Sequence, residues 1–311
     1  MACVYRKLTV AGIILLVGIF ACVPSYGGYS RGGAFTAPGY GARAGAMGGA
    51  AIATPGGEEA VFWNPAMLSH IEENRIGISY VNLVPGAKAY HSHVVYARSI
   101  KRTDADDIGR ALSMHALGVG FGNLYLDLTD GSSYSENTLR FAYAYTPEYF
   151  VTFGAAFNIL VSTSDFSSFD GTGTSVDAGV RLQLSEALTL GFVARNAASR
   201  LSYDDGMNVT LWRSYTFALA TDEIPYLSTE ADIVIAHGGI SRYVLGIESL
   251  LYSDAIALRG GLSSFQSGEQ RLVPHLGLGF KINRFQLNYN ANLDSQKAFE
   301  DTHRFSVSAA L

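Results

Sequence analysis

The chain has 311 residues, 48% of them hydrophobic and only 16% charged, with a formal net charge of -5. That charge gives no basic footprint, and nucleic acid is excluded as a partner. The 34 glycines, 18 tyrosines and 17 phenylalanines against 8 prolines suit long antiparallel strands better than a helical core.

The first residues read as an export signal. Arg6 and Lys7 form a short basic region, and an apolar run follows from Val10 to Cys22. A bilayer needs a helix of roughly 20 apolar residues, so this run is too short to cross and has the length of a signal-peptide core. Ser25 and Gly27 supply small residues for cleavage, which makes 1–27 the signal peptide and places the mature start near Gly28. An uncleaved anchor and lipidation at Cys22 are the competing readings; bulky Phe20 fits the lipidation pattern poorly. Cys3 and Cys22 both lie in the signal. A mature chain without cysteine has no disulfide, thiolate metal site or cysteine nucleophile.

Residues 28–72 have a different texture. Gly32, Gly33, Gly39, Gly41, Gly45, Gly48 and Gly49 crowd a stretch with little alternation. A phosphate loop would end in Gly-Lys-Ser/Thr, which is missing. Small residues suit a backbone packed tightly inside a lumen. Asn64 suits a cap and Pro65 a first helical position, so Asn64-Pro65-Ala66 is expected to anchor a short helix of this plug.

From residue 73 to 311 the pattern has period two. Leu139, Phe141, Tyr143 and Tyr145 alternate with Arg140, Ala142 and Ala144; Val176, Ala178, Val180 and Leu182 alternate with Asp177, Gly179 and Arg181. The clearest case is Phe285, Leu287, Tyr289, Ala291 and Leu293 against Gln286, Asn288, Asn290, Asn292 and Asp294. After Leu117, Val119 and Phe121 the parity shifts by one at Leu124 and Leu126, which predicts a bulge near Gly122-Asn123. Short turns at 146–148, 185–186 and 283–284 on one end, and longer loops at 101–109, 164–173 and 197–206 on the other, match the two ends of a membrane barrel. Alternation alone also fits a soluble sandwich or a propeller. About fourteen segments, many far longer than globular strands, with Tyr80, Tyr90, Tyr96, Trp212 and Tyr289 placed for interfacial girdles, decide for a barrel. The fold class is all-β, a transmembrane antiparallel β-barrel of about 14 strands with a short N-terminal plug segment.

The run from Gly41 to Ala50, with Arg43, Met47, Gly48 and Gly49, followed by Trp63-Asn64-Pro65-Ala66, resembles the opening of FadL-like outer-membrane proteins, especially the PorV/PorQ branch. The resemblance extends through the alternating segments to the C-terminus. It implies a fourteen-stranded barrel whose N-terminal segment plugs the lumen, located in the outer membrane. The family carries acidic residues after its Gly-Gly-Ala strand; here Glu58 and Glu59 follow Pro55-Gly56-Gly57. Phe305, Val307 and Leu311 share one face and form the expected C-terminal signal for the barrel insertion machinery. Such barrels commonly end in an aromatic residue, and Leu311 departs from that.

No catalytic constellation appears. His91 and His93 share a strand face without a third metal ligand, Glu58 and Glu59 are adjacent and do not oppose each other, and no Gly-x-Ser-x-Gly elbow occurs. No enzyme activity, cofactor or metal is expected. The partners expected are outer-membrane lipid, the insertion machinery, and either a hydrophobic ligand or a secreted protein. Two functions follow: a channel for hydrophobic small molecules, with the plug gating a route through the wall, or a PorV-like component of protein secretion or surface attachment.

Overall fold

The computed structural model describes Phe35 and residues 39–54, 56–84, 88–100, 115–127, 131–165, 169–236, 238–266, 271–293 and 302–311. The expected signal peptide, Cys22, and the 101–109 loop lie outside these residues. The strands are β1 (Arg75–Asn82), β2 (Ala89–Ile100), β3 (His115–Asp127), β4 (Ser133–Glu148), β5 (Val151–Ser164), β6 (Gly171–Gln183), β7 (Leu188–Tyr203) and β8 (Asn208–Val209). They continue with β9 (Ser214–Ile224), β10 (Leu227–Ala236), β11 (Gly239–Leu251), β12 (Ile256–Phe265), β13 (Arg271–Ile282), β14 (Phe285–Asn292) and β15 (Thr302–Ala310).

Each long strand pairs antiparallel with its neighbours in sequence, and β1 pairs with β15 from Arg75↔Ala310 to Asn82↔His303, closing the sheet. The two-residue β8 only flanks β7, so the closed ring has fourteen strands. Closure joins the first strand to the last and so removes the two open edges, the condition for a sheet in hydrocarbon.

The two faces separate as the alternation predicts. Leu278, Phe280, Leu287, Phe305 and Val307 point outward and are exposed, whereas Arg140, Asn158, Asp177, Asn290, Arg304 and Ser308 point inward and are buried. Outward aromatics gather in belts. Tyr80, Tyr90 and Tyr125 form a row with centroid spacings of 6.0 and 5.0 Å near one rim. His115 stacks between Tyr143 and Tyr145 near the other. Trp212 instead lies in the β8–β9 connection.

Three local expectations need correction. The bulge near Gly122-Asn123 is absent: β3 pairs in continuous register with β2 (His93↔Gly122, Ser92↔Asn123) and with β4. The parity shift arises because the outward apolar band ends at Phe121; Asn123 still points outward, bonded to Ser135 and Asn137, and Leu124 turns into the lumen. Residues 197–203 belong to β7, not to a loop. The 101–109 connection joins β2 to β3, the same end as the β4–β5 turn at Tyr149-Phe150, so long connections are not confined to one rim.

The N-terminal segment lies within the ring. Its regular pieces are a short helix Ala42–Ala46, a 3-10 turn Gly57–Glu59, a helix Ala60–Trp63 and a 3-10 turn Pro65–His70. Val61, Phe62, Met67 and Leu68 pack against the inward alanines of β2 to β5.

The face assignment has a direct consequence. Leu278→Arg puts a charge on the lipid face and is expected to lower stability by about 2–4 kcal/mol if it sits near the midplane. Asn290→Leu, inside, leaves insertion intact. Unfolding titrations in lipid vesicles read the difference; equal tolerance at both positions contradicts the assignment.

Candidate functional site

The lumen is filled by a segment seated on glycines. A Cβ on Gly154 would lie 2.2 Å from Ala66 N, and one on Gly179 would lie 2.1 Å from Asn64 Oδ1. Cβ atoms on Gly261 and Gly277 would lie 2.3 Å from Gly48 N and from Ala46 Cβ. The inward small residues of the wall therefore make room for backbone, and the space they leave is occupied.

Polar side chains of the wall then hold the segment. The Glu230 carboxylate accepts the amides of Ile52, Ala53 and Thr54 at 2.6, 3.0 and 2.7 Å, together with the Thr54 hydroxyl. Arg43 pairs with Glu248, which also binds Arg259. Arg140 donates to Val61 O, and Arg195 donates to Phe62 O at 2.9 Å and Trp63 O at 3.1 Å. These arginines satisfy carbonyls that the end of a four-residue helix leaves open, where the helix dipole also favours cations. Buried charges are tolerable only with such partners, and removing one partner of a buried pair is strongly destabilising.

The predicted motif residues all fall in this contact zone. Asn64 is fully buried; its Oδ1 accepts Ala66 N at 3.0 Å and its Nδ2 donates to Ile52 O at 2.7 Å. It caps the turn that Pro65 opens and ties it to the preceding loop. Met47 packs beside Ala50 and Val244. Gly48 and Gly49 take φ values of 73 and 95°, which favour glycine, and Gly48 O accepts Ser263 Oγ. Phe305, Val307 and Leu311 face outward. His91 and His93 are inward and buried around Tyr40, and no group of three metal-binding side chains occurs among the described residues. The wall partners Glu230, Glu248, Arg140, Arg195 and Arg259 were not singled out in the sequence. Their signal was charge on the inward parity of strands.

Below the segment, on the short-turn side, lies a cavity of about 420 Å³ lined by Arg43, Glu58, Glu59, Arg75, Lys281 and Arg284 among others. Glu58 binds Arg75 at 2.8 Å. Glu59 lies directly over Gly41, where a Cβ would come within 1.9 Å of its carboxyl, and it accepts Ala44 N at 3.4 Å. Burial, reinforced by the Glu58 charge, pushes its pKa up to about 7.

The wall has one break in its ladder among the described residues. β6 follows β7 from Thr189 to Tyr203, but β9 pairs only with Leu188–Arg195 and β8 only with Leu201 and Ser202. Between them, two side-chain bonds bridge β7 to the connection: Asn196 Nδ2 to Trp212 O at 3.0 Å, and Leu211 N to Ser199 Oγ at 3.0 Å. The register shows the cause. Val176 pairs with Ala198 and Ala178 with Ala194, so Asp177 faces three residues. Its inward carboxylate accepts Asn196 N at 2.7 Å, drawing the strand into the lumen, and Asn196 takes a left-handed φ of 51°. Outside this seam, Phe192 packs on Phe217 and Tyr215, with centroids 4.9 and 6.4 Å away. Inside lie Leu201 and Leu211.

Two measurements follow. Because Glu59 binds its proton more tightly folded than unfolded, stability is highest below the ordinary carboxylate value, falls as pH rises toward about 7, and is flat above it. Glu59→Gln abolishes that slope in unfolding titrations between pH 4 and 8; an unchanged slope contradicts the assignment. Gly154→Val forces the Pro65-Ala66 backbone off its seat and is expected to cost about 1–3 kcal/mol in the same assay.

No protein-family model matches the chain, and no curated protein matches it. Solved structures do. The CymD monoaromatic hydrocarbon channel superposes with a TM-score of 0.66 at 12% identity, over 87% of this chain and 97% of that one. The Ralstonia pickettii toluene transporter TbuX gives 0.64 at 13% identity, over 88% and 98%. A Pseudomonas aeruginosa FadL homologue gives 0.59 at 12% identity, over 86% and 97%. At these identities the likeness establishes the fold: this chain is a closed fourteen-stranded barrel of the kind found in FadL-family hydrocarbon channels.

Proposed function

We propose that the protein is an outer-membrane channel for hydrophobic small molecules, which pass through the wall at the β7–β9 seam and not along the lumen. The observation that carries this reading is the seam itself. It is the place where the ladder opens, and apolar side chains border it on both faces, whereas the lumen below is filled and lined by charges. A hydrocarbon gains nothing from the charged basin and loses nothing at the seam. The fold shared with hydrocarbon and toluene channels supports the same substrate class.

The reading includes export by a cleaved signal peptide, delivery by the insertion machinery through Phe305, Val307 and Leu311, and no catalytic step. The finer placement in the PorV/PorQ branch rests on Arg43, Met47, Gly48, Gly49 and Asn64-Pro65-Ala66. That motif supports the second reading, a component of protein secretion or surface attachment.

A reversible lock separates them. Ser199→Cys with Leu211→Cys places two thiols across the seam, next to the bond between Leu211 N and Ser199 Oγ. In cells lacking other such channels, oxidation is expected to abolish uptake of labelled toluene and reduction to restore it. Uptake indifferent to the lock contradicts passage at the seam, and no uptake by the unmodified protein favours the secretion reading.

A further inference from the structure

The cavity on the short-turn side is polar, lies apart from the seam, and contains an unsatisfied buried group. Arg43 lines it from the helix Ala42–Ala46. Its Nε and Nη2 donate to the two oxygens of Glu248 at 3.0 and 2.8 Å, while its Nη1, also buried, has no partner. The side chain is only 9% exposed. A guanidinium presents its donors as a planar fork, and a buried donor left unpaired costs more than a made bond returns. Glu248 takes the Nε side of that fork, so the edge formed by the two η nitrogens is left for a second oxyanion.

A glycine stands beside this edge. A Cβ on Gly56 would lie 3.6 Å from Arg43 Nη1, and no other atom comes within 4 Å of it. With φ -113° and ψ 11° the backbone at Gly56 does not demand glycine, so what the missing side chain supplies is room next to Nη1.

The charges of the lining decide what fits there. At the mouth both signs occur, Lys281 and Arg284 with Glu72, Glu73 and Asp254, and all five are exposed and screened by water. At the deep end Arg75 and Glu58 cancel, whereas Arg43 and Arg259 share the single carboxylate of Glu248 and leave one positive charge in excess. The remaining group is Glu59. Glu58 faces it from its own turn, Arg43 and the Ala44 amide from the short helix, Arg259 from β12 and Arg304 from β15. Ionised, Glu59 cancels the excess; protonated, it leaves the excess in place.

We infer that this basin is a binding site for one compact oxyanion, a carboxylate or a phosphate-type group, held by the η edge of Arg43 and taken up together with a proton on Glu59. The occupant sits where the inner segment, through Arg43 and Glu59, meets the wall at Arg259. The site is independent of the channel reading: passage at the seam neither requires it nor excludes it. Since the Glu59 carboxyl titrates near 7, the fraction of protein ready to bind falls about tenfold between pH 6 and pH 8, and apparent affinity falls with it.

Calorimetric titration of the full mature chain in neutral detergent tests the site, with each variant first checked for heat-modifiable migration. The probes are sodium acetate and sodium sulfate, neither of which titrates between pH 6 and pH 8, in Tris-type buffers at ionic strength held constant with chloride. One saturable site per chain is expected, about tenfold tighter at pH 6 than at pH 8. Saturation by acetate alone supports a carboxylate ligand, and by sulfate alone a phosphate-type one. Gly56→Leu, which covers Nη1 and leaves the Arg43–Glu248 pair intact, is expected to weaken binding tenfold or more. Glu59→Gln is expected to bind as tightly at pH 8 as at pH 6. No saturable binding of either probe, or binding indifferent to Gly56→Leu, overturns the site. A pH dependence that survives in Glu59→Gln places the proton elsewhere in the lining, His70 included, and overturns the coupling.

Discussion

In hydrocarbon, every backbone N–H and C=O must find its partner inside the protein, and this constraint organises the whole molecule. It requires the sheet to close, which the pairing of β1 with β15 achieves. It also makes any gap in the ladder expensive unless side chains or a shielded position satisfy the freed groups. The seam beside β7 is such a place, and its freed groups are met by Asn196, Ser199 and the Asp177 carboxylate.

Closure creates a second requirement. A fourteen-stranded ring is too wide for its own side chains to fill, so the interior holds water or a segment of chain. Here it holds the described residues 39–54 and 56–71. Glycines on the inward parity admit its backbone, and inward charges bind it. The two devices divide the work. Glycine seats set how close the segment approaches, while Glu230, Glu248, Arg140 and Arg195 meet the polar groups that approach would otherwise strand.

Much of the architecture was legible in the sequence because period-two alternation is a direct image of two unlike environments. Leu278, Leu287 and Phe305 against Asn288, Asn290 and Arg304 reported both faces and the approximate strand count. Asn64-Pro65-Ala66 reported a capped turn. The seam was not legible. Alternation in β7 resumes the same parity after Asn196, since two extra residues preserve it, and only the pairing with β6 reveals them. The supposed bulge at Gly122-Asn123 failed for the opposite reason. The strand kept its register while its surroundings changed from lipid to water, and an outward asparagine imitated a slip. The wall partners of the inner segment were hidden as well, because an inward Glu or Arg reads from sequence as ordinary lumen polarity until its partner's position is known.

The central claim is that the lumen is sealed by a segment bound to the wall, leaving the seam as the way through. Potassium conductance across a planar bilayer containing the purified protein tests it most directly. A sealed lumen predicts no steady conductance from the intact chain and large, stable openings once residues 28–72 are deleted. A steady open level from the intact protein, equal to that of the deletion, would contradict the account.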